Sequence, residues 1–354
     1  MGSGHQSAGV VVVTGVSRYL GAHVAGRLRA DPRVGHVIGL DAAPPPADLA
    51  PVLDGVELVH VDLTRLTTVI DHLAAQTVVH LGVVTAPDPS AGGRAAMKEQ
   101  NVIGTMRLLA ACHQAPRLRK LVVRSSTAAY GASFRDPAVF TEDAEPLEVP
   151  RGGFARDILD IEGYVRGFRR RRPDVTTTVL RLAPLIGPAA DTTLTRYFTQ
   201  PVVPTVLGRD PRLQFIHVDD ALEILHRAVV EDHPGTYNVA GAGALTLSQA
   251  IRRAGRVAVP VPEQALSAVA ATARRLGRQG AAFDQLDLFV HGRVVDTGRL
   301  VAEFGVTPRT TAEAFADFLR ANRGPAPLAR SRVLAVEHAL LTLRELVRSA
   351  RGAG

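Results

Sequence analysis

Two stretches of this chain carry residues whose types and spacing can do chemistry. The first is Thr14-Gly15-Val16-Ser17-Arg18-Tyr19-Leu20-Gly21, which follows an apolar run at 10–14 and leads into a helical pattern at 22–30. A glycine-rich turn between a strand and a helix can seat a pyrophosphate, because free amides and the helix dipole both face the anion. Gly15 would make the tight turn, and Gly21 would let the helix pack close to the strand. Asp41 closes a second apolar run, 26 residues after Gly15. A carboxylate there accepts hydrogen bonds from the adenosine ribose and repels a 2′-phosphate, which favours NAD over NADP. Asp62, closing a third run that starts at Glu57, is placed to approach the adenine edge. Two glycines in a strand–helix turn also occur where nothing binds. The acidic strand end and the first-strand position are what point to a dinucleotide.

The second stretch is Ser125-Ser126-Thr127-Ala128-Ala129-Tyr130-Gly131, at the end of an apolar run over 121–126, with the helical pattern 153–172 beyond it. Ser126 is a candidate to polarise a substrate hydroxyl; equally, a serine at a strand end can serve only the local backbone.

The elements that must position these groups alternate. Strand patterns at 10–14, 36–41, 57–62, 77–82, 121–126 and 176–183 are separated by helical patterns at 22–30, 94–115 and 153–172. That rhythm predicts right-handed crossovers and a Rossmann-like, doubly wound parallel sheet. The strands read as near-continuous Val, Leu and Ile, as expected when helices cover both faces. After Gly187 the segments shorten and Pro and Gly interrupt them, which predicts a smaller C-terminal α/β lobe built over the sheet's edge. Asp220 with Glu223 reads as a capping box starting a helix to about Val230. The expected division is a disordered stretch 1–9, a dinucleotide-binding domain 10–187, interleaved substrate-lobe segments 188–323, and a linker with a terminal basic amphipathic helix 324–354.

The motifs together resemble the extended short-chain dehydrogenase/reductases, the NAD-dependent epimerase/dehydratases, and most closely their actinobacterial sugar-nucleotide 4-epimerase-like members. The resemblance covers about residues 9–320. Thr14, Gly15 and Gly21 match the family's Thr-Gly-x-x-Gly-x-x-Gly; Asp41 and Asp62 match its ribose and adenine positions. His80-Leu81-Gly82 resembles its fourth-strand end and Asn101 its helix asparagine. Arg181 with Gly187-Pro188, His217-Val218-Asp219-Asp220 and Tyr237-Asn238-Val239 resemble later markers. The resemblance implies NAD contacts at Gly15, Ser17, Arg18, Tyr19, Leu20, Gly21, Asp41, Asp62, Leu63, Leu81 and Asn101. It also implies a nucleotide sugar or related hydroxylated ligand.

The pattern breaks in three places. Arg18 stands where the fingerprint has its middle glycine; its guanidinium either pairs with phosphate oxygens or turns to solvent. The family's chemistry uses Tyr-x-x-x-Lys on the helix after the fifth strand, where the four-residue spacing puts both groups on one face. Aligned on Glu162, those positions hold Phe154 and Ile158, and neither can move a proton. None of the five tyrosines has a lysine four residues on, and the lysines, Lys98 and Lys120, lie on other elements. Pro184 replaces an asparagine that such epimerases often use to hold the sugar nucleotide. The resemblance therefore leaves two readings: an NAD-dependent epimerase/dehydratase-like enzyme in which Ser126 works with another group, and a non-catalytic NAD-binding sensor or scaffold.

Composition narrows the remaining classes. The chain has 354 residues, 46% hydrophobic and 21% charged, enough for a full core. No apolar run reaches bilayer length and the N-terminus lacks the pattern of a signal peptide, so a cytoplasmic protein is expected. The single Cys112 fits a reducing compartment. The net charge of +7 is carried almost wholly by arginine. The basic run at Arg166 and 169–172 reads as a solvated helix end, since the aromatics and motifs of a nucleic-acid site are missing. The twelve histidines show no metal spacing. A homodimer, and contact of the C-terminal helix with a membrane surface, stay open.

Overall fold

A computed structural model describes residues 8–61, 69–70, 72–150, 153–262 and 286–322. Asp62, Leu63 and the expected terminal helix lie outside these residues. The strands β1 (Ala8–Thr14), β2 (Val34–Asp41), β3 (Glu57–His60), β4 (Thr77–His80), β5 (Lys120–Ser126), β6 (Thr176–Leu182) and β7 (Gly235–Val239) form one seven-stranded sheet. Its spatial order is β7-β6-β5-β4-β1-β2-β3, and every pair is parallel. The chain winds outward from β1 to β3, then returns to β4 on the other side of β1. This reversal opens a crevice over the carboxyl ends of β1 and β4, where ligands of such sheets bind.

Helix α1 (Tyr19–Ala30) and helix α2 (Gly104–Gln114) cover opposite faces, with α3 (Gly153–Arg171) beside α2 and α4 (Val218–Val230) beside α1. Side chains alternate along each strand, so Val11 and Val13 of β1 pack under α1 and α4 while Val12 packs on the other face. The stripe Phe154, Ile158, Ile161, Val165 and Phe168 seats α3 in that second core layer. A third cluster, centred on Phe198, Phe215 and Phe315, builds the smaller lobe from short strand pairs and helices.

Three local expectations are corrected. Helix α1 begins at Tyr19 rather than at residue 22. The helical pattern at 94–115 is not one α-helix: Gly93–Lys98, a π turn at Glu99–Ile103 and α2 follow one another. Asp220 does not cap α4. His217 does, its Nδ1 accepting the Asp219 amide at 3.1 Å, while Asp220 binds Arg309 and Glu223 binds Arg227. The tertiary partner Arg309 claims the Asp220 carboxylate.

Candidate functional site

The turn after β1 is built by steric necessity. Gly15 sits at φ +80°, and a Cβ there would lie 2.7 Å from the backbone of Gly82. A Cβ on Gly21 would lie 2.1 Å from the Gly15 carbonyl. These glycines let β1, β4 and α1 meet at the head of the crevice. Ser17 donates to Asp41 Oδ2 through its amide at 3.0 Å and its hydroxyl at 2.7 Å. Among the described residues Asp41 Oδ1 carries only a 3.3 Å contact from the Ala43 amide, so acceptor capacity remains on it. Gly15, Ser17, Arg18, Asp41, Gly82 and Gln100 line a groove of about 450 Å³.

The side chains of the other described residues expected around a cofactor have partners of their own, Arg18 apart. Leu20 and Leu81 are core side chains, and Tyr19 stacks on His23 with centroids 3.9 Å apart. Asn101 is fully buried: its Oδ1 accepts the Val84 amide at 2.7 Å, and its Nδ2 donates to the Val84 carbonyl and to Asp157. It therefore positions the loop after β4 instead of lining the groove. Arg18 turns neither to solvent nor to a carboxylate. It donates to Gln100 Oε1 at 3.3 Å, and its buried Nε has no partner among the described residues.

Beneath the groove runs a buried polar ladder that sequence reading missed. The Leu81 and Gly82 amides donate to Thr14 Oγ1, leaving the Thr14 hydroxyl to donate to His80 Nδ1 at 2.9 Å. His80 Nε2 then donates to Thr105 Oγ1 at 2.8 Å, and that hydroxyl donates to the Asn101 carbonyl at 2.6 Å. The directions are consistent only with a neutral ring protonated at Nε2. Burial, with the charge of Arg124 adding to it, pushes His80 down to about 4.

A separate, smaller cavity of about 80 Å³ is lined by Arg124, Ser126, Phe154, Pro184 and Arg293 among others. Ser126 ends β5 and accepts the Ala128 amide at 3.2 Å, capping the turn Thr127–Tyr130. Phe154 and Ile158 are 3% and 0% exposed. The helix that carries them is locked in place. Glu162 accepts from Ser125 Oγ at 2.5 Å and from Arg181 at 2.9 and 2.7 Å, and Arg181 also donates to Tyr130 and to the Glu142 carbonyl. Tyr130 donates to Asn238 Oδ1 at 2.7 Å, tying the network to β7. These bonds hold α3 so that hydrocarbon faces Ser126. No other tyrosine reaches the place: Tyr164 is exposed, Tyr197 donates to the Pro204 carbonyl and Tyr237 to that of Pro234. Lys120 binds the Val229 and Glu231 carbonyls and Asp232, at the far end of β5. Cys112 is fully buried, its thiol pushed up to about 12 by burial, and cannot serve as a nucleophile. Among the described residues no group of three or more His, Cys, Asp or Glu could hold a metal ion, and no helix is long and apolar enough to cross a membrane.

A doubly wound parallel sheet with a glycine turn and an acidic second-strand end, joined by a smaller second lobe, defines a Rossmann-like fold. The chain belongs to the NAD dependent epimerase/dehydratase family, whose model matches residues 11–240. It is 45% identical over 322 residues to the uncharacterized protein Rv0501 of Mycobacterium tuberculosis H37Rv, covering 90% of this chain and 85% of that protein. The uncharacterized protein Mb0513 of Mycobacterium bovis matches to the same extent. Among solved structures, the UDP-glucose 4-epimerase of Thermotoga maritima, with UDP-glucose, superposes with a TM-score of 0.67 at 17% identity, covering 89% of this chain and 98% of that one. MoeE5 in complex with UDP-glucuronic acid and NAD gives 0.67 at 21% identity, with the same coverage. The dTDP-glucose 4,6-dehydratase of Bacillus anthracis, in complex with NAD, gives 0.64 at 16%, covering 89% and 96%. At these identities the likeness is one of fold.

Proposed function

We propose that this chain binds NAD in the groove over β1 and β4, takes a nucleotide sugar or related hydroxylated ligand beside Ser126, and lacks the proton relay of its family. The fit of NAD rests on the cradle at Gly15 and Gly21, the Asp41 acceptor and the unpartnered Nε of Arg18. Bound NAD supplies a hydride acceptor. Everything else must come from side chains, and a sugar hydroxyl gives up its hydride only when a base takes its proton. The observation that carries the reading is the burial of Phe154 and Ile158 on α3, the residues that the resemblance aligns with the family's Tyr and Lys. Ser126 can orient a hydroxyl, but with one acceptor site already given to Ala128 it is no base. NAD then serves as a structural or sensed ligand.

Two measurements test this. The nucleotide released by denaturing the purified protein is identified, and UDP-glucose and UDP-galactose are offered to the native protein with NAD present. Bound NAD with no interconversion is expected; steady interconversion by the unaltered chain would overturn the loss of the relay. The double change Phe154→Tyr with Ile158→Lys should create turnover if the dyad alone is missing.

A further inference from the structure

The cavity that holds Ser126 has a charge pattern of its own. Among the described residues its lining includes the guanidinium-bearing side chains Arg124 and Arg293 and no Asp or Glu; hydroxyl-bearing and apolar residues make up the rest. Arg124 lies on β5, two residues before Ser126. Its Nη1 donates to the Val83 carbonyl at 3.0 Å, and Thr85, two residues further along that loop, also lines the cavity. Among the described residues this is the only hydrogen bond of the Arg124 guanidinium, and it has no ion pair within 4.0 Å. Burial lowers its pKa to about 10, so it keeps its charge at neutral pH. The carboxylate behind Ser125, that of Glu162, is already paired with Arg181. Arg293 donates from Nη2 to the Gly131 carbonyl at 2.7 Å.

Ser126 completes the pattern. Its Oγ accepts the Ala128 amide, and among the described residues its own O–H has no acceptor. The cavity therefore presents donors, one of them a cation, against apolar walls such as Phe154. A charge set among apolar groups without a counter-charge is costly, and a ligand that is acceptor-only and anionic removes that cost. A carboxylate is such a ligand: its two oxygens match arginine's planar fork and leave lone pairs for a hydroxyl donor. A volume of about 80 Å³ has room for a few waters or one small anionic group.

We propose that the ligand seated beside Ser126 carries a carboxylate, and that Arg124 is the residue that selects it. The proposal rests on the reading above that a nucleotide sugar or related hydroxylated ligand lies there, and it narrows that ligand to a sugar acid. A site made of donors is also consistent with a missing proton relay, since it offers a sugar alcohol nothing that would take its proton.

The test is calorimetric titration of the full chain, NAD present, with UDP-glucuronate, UDP-glucose and free glucuronate as probes. The two nucleotide sugars differ only in a carboxylate against a hydroxymethyl group, so the ratio of their affinities isolates the contact. UDP-glucuronate should bind at least about tenfold tighter, because a charge-assisted pair replaces a neutral contact. Arg124→Met should bring the ratio to within about twofold, and Arg124→Lys should leave it in between, since an ammonium keeps the charge without the fork. If both nucleotide sugars bind the unaltered protein within about twofold of each other, the carboxylate seat falls and the nucleotide-sugar reading stands. A tenfold preference that survives Arg124→Met also overturns the seat. Binding of free glucuronate alone, lost in Arg124→Met, keeps the seat and overturns the nucleotide part of the reading. If no probe binds, both fall. Should Arg124→Met not fold, a crystal structure of the unaltered protein with UDP-glucuronate decides: carboxylate oxygens about 3 Å from the Arg124 guanidinium support the seat, and oxygens beyond about 4 Å overturn it.

Discussion

His80 offers a prediction whose size follows from the structure. Its ring is neutral because one nitrogen must accept from Thr14 and the other must donate to Thr105, in a place closed to water. An ordinary histidine titrates at 6.5, and this one at about 4. The gap corresponds to about 3 kcal/mol. Between those two pH values the unfolded chain binds a proton that the folded chain refuses, so stability rises with pH across this window. The contribution is fully present above pH 6.5 and is lost as pH falls toward 4. His80→Gln keeps the polarity of the ladder, an amide oxygen toward Thr14 and an NH₂ toward Thr105, and cannot titrate. Urea unfolding followed by circular dichroism at pH 7, 6, 5 and 4.5 compares the two proteins. From pH 7 to 4.5 the unaltered chain should lose about 2 to 3 kcal/mol more than the variant. Carboxylates held low, such as Asp31 beside Arg33, contribute equally to both curves and cancel. Curves that run parallel from pH 7 to 4.5 would show that the ring is already charged or is not sealed in, and the ladder as assigned would be wrong.

Two further outcomes are expected. Asp41→Asn should weaken NAD about tenfold and relax the preference against NADP, because a charged acceptor is replaced by a neutral amide that no longer repels a 2′-phosphate; titration with both dinucleotides reads it. Glu162→Gln should lower unfolding stability by about 3 kcal/mol in urea, since it leaves the guanidinium of Arg181, with only 11% of its side chain exposed, without its counter-charge.

What could be read from the sequence is what depends on neighbours along the chain. Strand and helix alternate because apolar runs and 3.6-residue stripes are local patterns, and the parallel sheet followed from that rhythm. Gly15, Gly21 and Asp41 were legible because their roles follow from a tight turn and a strand end. That Phe154 and Ile158 stand at the family's Tyr and Lys positions came from the resemblance, aligned on Glu162. Where one helix pattern covers 94–115, periodicity does not show that a π turn divides it.

Only the tertiary structure brought distant residues together: His80 between Thr14 and Thr105, and Arg309 on Asp220. It also places the Leu20 and Leu81 side chains in the core and the Asn101 side chain on the loop after β4. The physical reason is that a buried polar group must find a partner somewhere, and sequence spacing says nothing about which strand or loop will supply it. The groups that can carry out chemistry are therefore visible in the chain itself, while what each of them faces is decided when the sheet closes.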